Sequence, residues 1–117
     1  MLNTYVCVGR LVADPELKQT ESGKNYSNIT LAVQRSYKNS EGEYETDFLD
    51  CTLWDTVAQK TAEYMKKGDM LSVRGRLETR TYENEAGEKR KVTNIIGDSV
   101  SFLQSNPKEK TNDPELE

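Results

Sequence analysis

The chain of 117 residues has no histidine, and its two cysteines, Cys7 and Cys51, stand far apart with no CxxC pair. Structural zinc is held by closely set cysteine and histidine ligands, so no such site can be assembled within this sequence. An enzyme such as a nuclease would have only Asp47, Asp50 and Asp55 to hold a metal, with no histidine beside them and no familiar metal spacing. No catalysis, cofactor or metal is expected. No apolar run approaches the roughly 18 residues that a membrane span needs. The opening MLNTYVCVGR has neither the basic lead nor the apolar segment of a signal peptide. These absences point to a cytoplasmic protein, off the membrane, with both thiols reduced and buried.

Positive charge is not in excess either. The sequence holds 16 Lys+Arg against 20 Asp+Glu, a net charge of −4. Up to Leu103 the balance is 14 against 16, and the last 14 residues add 2 against 4. A basic protein would suit a polyanionic partner outright; here any such case rests on where the cations sit. With 34% hydrophobic and 31% charged residues, the length suits one soluble domain with its own core.

What the sequence does have is concentrated in residues 46–54, TDFLDCTLW. Read with the period of two that a strand requires, Leu49, Cys51 and Leu53 form one face, an ordinary core stripe. Phe48, Asp50, Thr52 and Trp54 form the other. A strand with one wet side normally turns polar residues to it, so two large aromatics there require a partner. A nucleic-acid base that stacks on the rings is one candidate. A neighbouring subunit is the other.

The rest of the chain supplies further strands. Residues 3–13 read as the first, with Val6 and Val8 on one side, Tyr5 and Cys7 on the other, and Gly9 allowing a bulge or kink. Asp14-Pro15-Glu16 stops it, and a polar loop turns at Ser22-Gly23-Lys24. Residues 26–36 form the second, with Ile29, Leu31 and Val33 inward and Asn28, Thr30, Ala32 and Gln34 outward. An acidic hairpin loop, NSEGEYE, leads into the third strand at residues 46–54. A helix follows, with Thr56 and Gln59 as a capping box or Asp55 as the cap. Its apolar stripe of Val57, Ala58, Thr61, Ala62, Tyr64 and Met65 faces the core. Lys66 and Lys67 suit its C-terminal end, and Gly68 its left-handed terminator.

The fourth strand, residues 70–82, turns Leu71, Val73, Gly75 and Leu77 one way. Arg74, Arg76, Glu78, Arg80 and Tyr82 turn the other, a basic row ending in an aromatic. Asn84-Glu85-Ala86-Gly87 turns the chain, and Arg90 and Lys91 open a fifth strand that continues to Leu103. Residues 104–117 lose all periodicity and read as a short disordered tail after a domain at residues 1–103. Three strands, a helix and two more strands is the order of the all-β OB-fold, a five-stranded Greek-key barrel.

The segments GRLVADPEL, SNITLAVQRSYK, TDFLDCTLW and AEYMKKGDMLSVRGRLETRTYE resemble those of the bacterial single-stranded DNA-binding (SSB) proteins, in order across residues 1–103. The resemblance implies an OB-fold and a homotetramer. It also implies sequence-tolerant binding of single-stranded DNA in replication, recombination or repair, without catalysis, in the bacterial cytoplasm at the nucleoid. It places the base-stacking aromatics at Tyr37, Phe48, Trp54 and Tyr82. Candidate phosphate contacts are Arg10, Arg35, Lys38, Arg76, Arg80, Arg90 and Lys91. Members of the family usually carry a long tail whose acidic tip ends in Pro-Phe and recruits partner proteins. This chain ends KEKTNDPELE, which puts such recruitment in question while leaving DNA binding intact.

Each feature has a plainer reading. Phe48 and Trp54 would serve equally at an apolar subunit interface. Tyr37 and Tyr82 lie beside turns, where a tyrosine can cap a core edge. The arginines of the fourth strand would suit a solvated face paired across strands with Asp50 or Glu78. An alternative function is an OB module for RNA or for a replication partner, as in the primosomal proteins, although no reader of a ribose 2′-hydroxyl is evident.

Overall fold

A computed structural model describes residues 1–106. β1 (Tyr5–Leu11), β2 (Lys18–Gln19), β3 (Asn25–Lys38) and β4 (Tyr44–Trp54) precede the helix α1 (Asp55–Tyr64). β5 (Met70–Glu83) and β6 (Lys89–Gln104) follow it. The sheet order is β1-β5-β6-β4-β3-β2, and an additional β1–β3 pairing closes β1, β5, β6, β4 and β3 into a five-stranded barrel. This is the OB-fold. The two-residue β2, paired to Tyr26 and Asn25, lies in what the sequence presents as a plain polar loop.

Closure depends on β1 changing partners. It runs against β5 from Tyr5 to Arg10, and Arg10 and Leu11 also pair with Ala32 and Leu31 of β3. Gly9 sits at the crossing, where a Cβ would stand 2.8 Å from the Ala32 carbonyl oxygen and 2.9 Å from Val33 Cγ2. Glycine is there for close approach. Alternate residues of each strand fill the barrel: Cys7 and Leu11, Ile29 and Leu31, Cys51 and Leu53, Leu71 and Val73, with Ile95. α1 covers the barrel through Ala58 and Thr61, both buried, while Val57 and Met65 pack against the core.

The two cysteines are free and buried, as expected. Burial pushes the Cys51 thiol up to about 12, with the nearby Cys7 adding to the effect, and burial raises the Cys7 thiol as well.

Several local expectations fail at the ends of α1. β4 runs into the helix without a loop, so Trp54 occupies the N-cap position and makes no side-chain capping bond. Neither the Thr56–Gln59 box nor an Asp55 cap forms. Asp55 instead takes a left-handed backbone with φ of 52°, a conformation that aspartate tolerates better than most residues. The helix stops at Tyr64, short of the two lysines. The chain is drawn away there because the Gly68 N–H donates to the Leu11 carbonyl, and the Asp69 carboxylate accepts the Lys66 N–H at 3.0 Å. Tyr64, expected in the core, is 69% exposed for the same reason; it stands with Phe102 beside a groove between α1 and β6.

The same turn fastens the end of β6. The Asn106 N–H donates to Asp69 Oδ1 at 3.1 Å, and its amide donates to the Lys67 carbonyl at 3.2 Å. The hydrogen-bonded structure thus reaches a few residues past Leu103. The remainder of the expected disordered tail lies outside the described residues.

Candidate nucleic-acid interface

The outward face of the β3–β4 hairpin is a run of four opposed pairs. Tyr26 faces Trp54, Asn28 faces Thr52, Thr30 faces Asp50 and Ala32 faces Phe48. Aromatic rings hold both ends of this run and hydrogen-bonding groups hold the middle. Thr30 Oγ1 donates to Asp50 Oδ1 at 2.8 Å. Thr52 Oγ1 donates to Asn28 Oδ1 at 3.0 Å and accepts from Asn94 Nδ2 at 2.9 Å. Phe48 is 66% exposed and Trp54 36%. The Trp54 ring leans on Tyr26, and Lys24 Nζ lies 5.5 Å from its centroid.

β5 and β6 supply the opposite wall of a recess of about 350 Å³ over the middle of this face. Asn28, Thr30, Asp50, Thr52, Arg80, Thr93 and Asn94 contribute its polar lining. A second groove of about 320 Å³ shares Asn28, Thr52, Arg80 and Asn94 and passes Tyr26 and Trp54. The two recesses together run along the hairpin face past Tyr26 and Trp54 with Arg80 across from them, while Phe48 borders a neighbouring hollow with Tyr5 and Leu77.

The candidate cations differ sharply in their surroundings. Arg35 grips Asp47 through Nε at 3.1 Å and Nη2 at 3.0 Å, and reaches Glu45 through Nη1 at 2.7 Å. These hydrogen bonds hold the Asp47 carboxyl below its usual range and raise Arg35 above its own. Arg76 pairs with Glu78 at 2.7 Å and Asp98 at 3.1 Å, and Arg90 with Glu88 at 2.9 Å. Arg10 donates to the Gly68 carbonyl at 2.9 Å and to Gln104 Oε1 at 2.8 Å, inside the turn that fastens β6. Lys38 Nζ lies 5.7 Å from the Tyr44 ring. Arg80 and Lys91 have no ion pair among the described residues. Exposed ion pairs of the kind Arg35 and Arg76 make are worth only about 0–1 kcal/mol, so an incoming phosphate can displace them at little cost.

Of the sequence-derived aromatics, Trp54 and Phe48 share the hairpin face, whereas Tyr37 and Tyr82 stand outside the recess on hairpin extensions, 62% and 47% exposed. Tyr26 and Lys24, which flank Trp54, were not singled out in the sequence. Tyr26 has the same strand parity as Asn28 and Thr30, so the signal was present. Asn94 carries no comparable signal, because its place depends on how β6 meets β4.

A closed five-stranded barrel whose central hairpin offers an aromatic-ended polar face defines an OB-fold binding domain. The chain belongs to the single-strand binding protein family, which matches residues 2–103. It is therefore one of a family of binding proteins rather than enzymes. Single-stranded DNA-binding protein B of Bacillus subtilis (strain 168) is 46% identical over 113 residues, covering 97% of this chain and all 100% of that protein. The single-stranded DNA-binding protein of Halalkalibacterium halodurans is 46% identical over 104 residues, 89% of this chain and 62% of that protein. Single-stranded DNA-binding protein 3 of Listeria innocua is 46% identical over 105 residues, 90% of this chain and 66% of that protein.

Proposed function

We propose that this protein binds single-stranded DNA without strong sequence demands and protects exposed strands during replication, recombination or repair. The observation that carries the reading is the hairpin face itself. Trp54 backed by Tyr26 stands at one end, Phe48 at the other, and Arg80 lies across from them with no carboxylate bound among the described residues. Bases leave their own stack for these rings, while Arg80 and Lys91 follow the phosphates and Tyr37 and Tyr82 extend the track along the hairpins. Arg35, Lys38, Arg76 and Arg90 exchange their present partners for phosphate as the strand passes. Family membership and the names of the relatives point the same way.

The working form is a homotetramer. Val6 and Val8 on the outer side of β1 are 59% and 46% exposed in the single chain, and covering them favours association. Light scattering that finds a 13.3 kDa particle at micromolar concentration overturns this part.

Trp54 is the only tryptophan, so its emission reports one position. Oligo-dT should quench it strongly and duplex DNA should not. Unchanged emission at saturating oligo-dT removes Trp54 as a stacking platform, and failure to retain oligo-dT in a filter-binding assay removes the function.

A further inference from the structure

Trp54 and Ile96 line the groove beside the recess, and both also line a further hollow of about 510 Å³ next to the start of α1. The indole thus stands between two hollows, and a strand that stacks on it from the recess side runs on into the second. Lys24, Asp55, Arg76 and Asp98 supply the charges of that second hollow. Arg76 is already held by Asp98 at 3.1 Å and Glu78 at 2.7 Å. Lys24 has no ion pair among the described residues, and its Nζ lies over the Trp54 ring, 5.5 Å from the centroid.

The turn between β2 and β3 fixes the backbone of Lys24 and leaves its side chain exposed. Gly23 takes a left-handed φ of 90°, and its N–H donates to the Thr20 carbonyl at 2.9 Å. The Lys24 N–H donates to Thr20 Oγ1 at 3.1 Å, and the Thr20 N–H donates to the Lys24 carbonyl at 2.9 Å. A rooted backbone therefore carries a free ammonium at the edge of the stacking ring. A cation over an exposed indole is held only weakly, whereas a hydrogen bond from an ammonium to a phosphate oxygen is charge-assisted and stronger. Each base brings its own phosphate, so a nucleotide stacked on Trp54 carries an anion to the lysine. We propose that Lys24 is a phosphate-contacting residue whose ammonium turns from the Trp54 ring to a phosphate flanking the base stacked there, and so carries the DNA track past the indole toward α1. Asp55, which has no ion pair among the described residues, repels a phosphate that moves deeper into the hollow. The contact reads no sequence, because every nucleotide offers the same phosphate. The inference rests on the hairpin face being the DNA track, as proposed above.

The test measures affinity for oligo-dT over a series of salt concentrations for the wild-type protein, Lys24→Gln and Lys24→Arg. Lys24→Gln should bind less tightly at low salt. It should also flatten the slope of log K against log salt by about 0.7 for each Lys24 engaged, so that its line and the wild-type line converge as salt rises. Lys24→Arg keeps the charge and should keep the wild-type slope. Lys24 is exposed on its turn, so both variants should melt close to the wild type. A loss of affinity in Lys24→Gln that is the same at every salt concentration overturns the inference and leaves Lys24 as a support for the indole. Affinity equal to the wild type throughout overturns it as well. A wild-type protein that does not bind oligo-dT removes the proposed function itself, and this inference with it.

Discussion

Tyr26 and Trp54 stand directly opposite each other across the β3–β4 ladder, their ring centroids 5.5 Å apart and their planes tilted by 40°. The tilt leaves the two rings as a wedge rather than a closed stack, and Trp54 keeps 36% of its surface open. Trp54→Ala should therefore weaken single-strand binding by about 1–3 kcal/mol, the worth of one base–aromatic stack. Tyr26→Ala should weaken it less, by loosening the indole, and the double variant should fall short of the sum because the rings are in contact. Additive losses in a double-mutant cycle would mean that the two rings bind separate bases.

Arg80 and Arg76 share one side of β5 but not one environment. Arg80 has no ion pair among the described residues, whereas Arg76 is held between Glu78 and Asp98. Each phosphate neutralised on a single strand contributes about −0.7 to the slope of log K against log salt. Arg80→Ala should flatten the slope by about that amount, and Arg76→Ala should change it less. Binding isotherms at four or five salt concentrations decide, and equal changes would remove the distinction between the two arginines.

Ser27 faces the barrel interior opposite Leu53, fully buried, and its hydroxyl has no partner among the described residues. An unsatisfied buried hydroxyl is a liability of about 1–3 kcal/mol. Ser27→Ala removes it with almost no loss of volume and should raise the melting temperature. A clear drop in thermal stability would show that the hydroxyl has found an acceptor.

The buried thiols give a pH signature. Cys51 moves from the ordinary thiol value of 9.0 up to about 12, chiefly by burial. The folded state therefore holds its proton more tightly than the unfolded chain does. The stability this contributes is fully present below pH 9 and is lost as pH rises toward 12. Chemical denaturation across that window should show a decline that Cys51→Ala makes shallower. At pH 8 a thiol reagent should leave both cysteines untouched until denaturant is added; rapid labelling of the native protein would contradict their burial.

Strand parity carried most of what the sequence revealed. In residues 46–54 the alternation runs unbroken, so Leu49, Cys51 and Leu53 separate cleanly from Phe48, Asp50, Thr52 and Trp54. β6 is harder to read because its register against β5 shifts twice. Arg74 pairs with Ser99 and Gly75 with Gly97, which leaves Asp98 as an extra residue, and Leu103 is skipped in the same way. Each bulge reverses which side chains point inward, and no local pattern announces it. The ends of α1 are not legible because its start is set by β4 running directly into it and its stop by bonds to Leu11 and Asp69, rather than by helix-capping residues. Likewise, which arginines are paired depends on carboxylates brought in by hairpin register: Asp47 for Arg35 and Asp98 for Arg76. Single-residue chemistry was legible; pairing across the barrel was not.

The turn that fastens β6 also sets a distance. Gln104 pairs with Met70 at the start of β5, while Arg80 lies ten residues further along the same strand, at most about 33 Å at the usual rise per residue and less in a straight line because the strand curves round the barrel. Asn106 is tied down at that far end through Asp69 and Lys67. A dye, an affinity tag or a second protein joined beyond Asn106 would be rooted well away from the recess. The barrel thus provides an attachment point whose cargo can be exchanged while the nucleotide track is left alone.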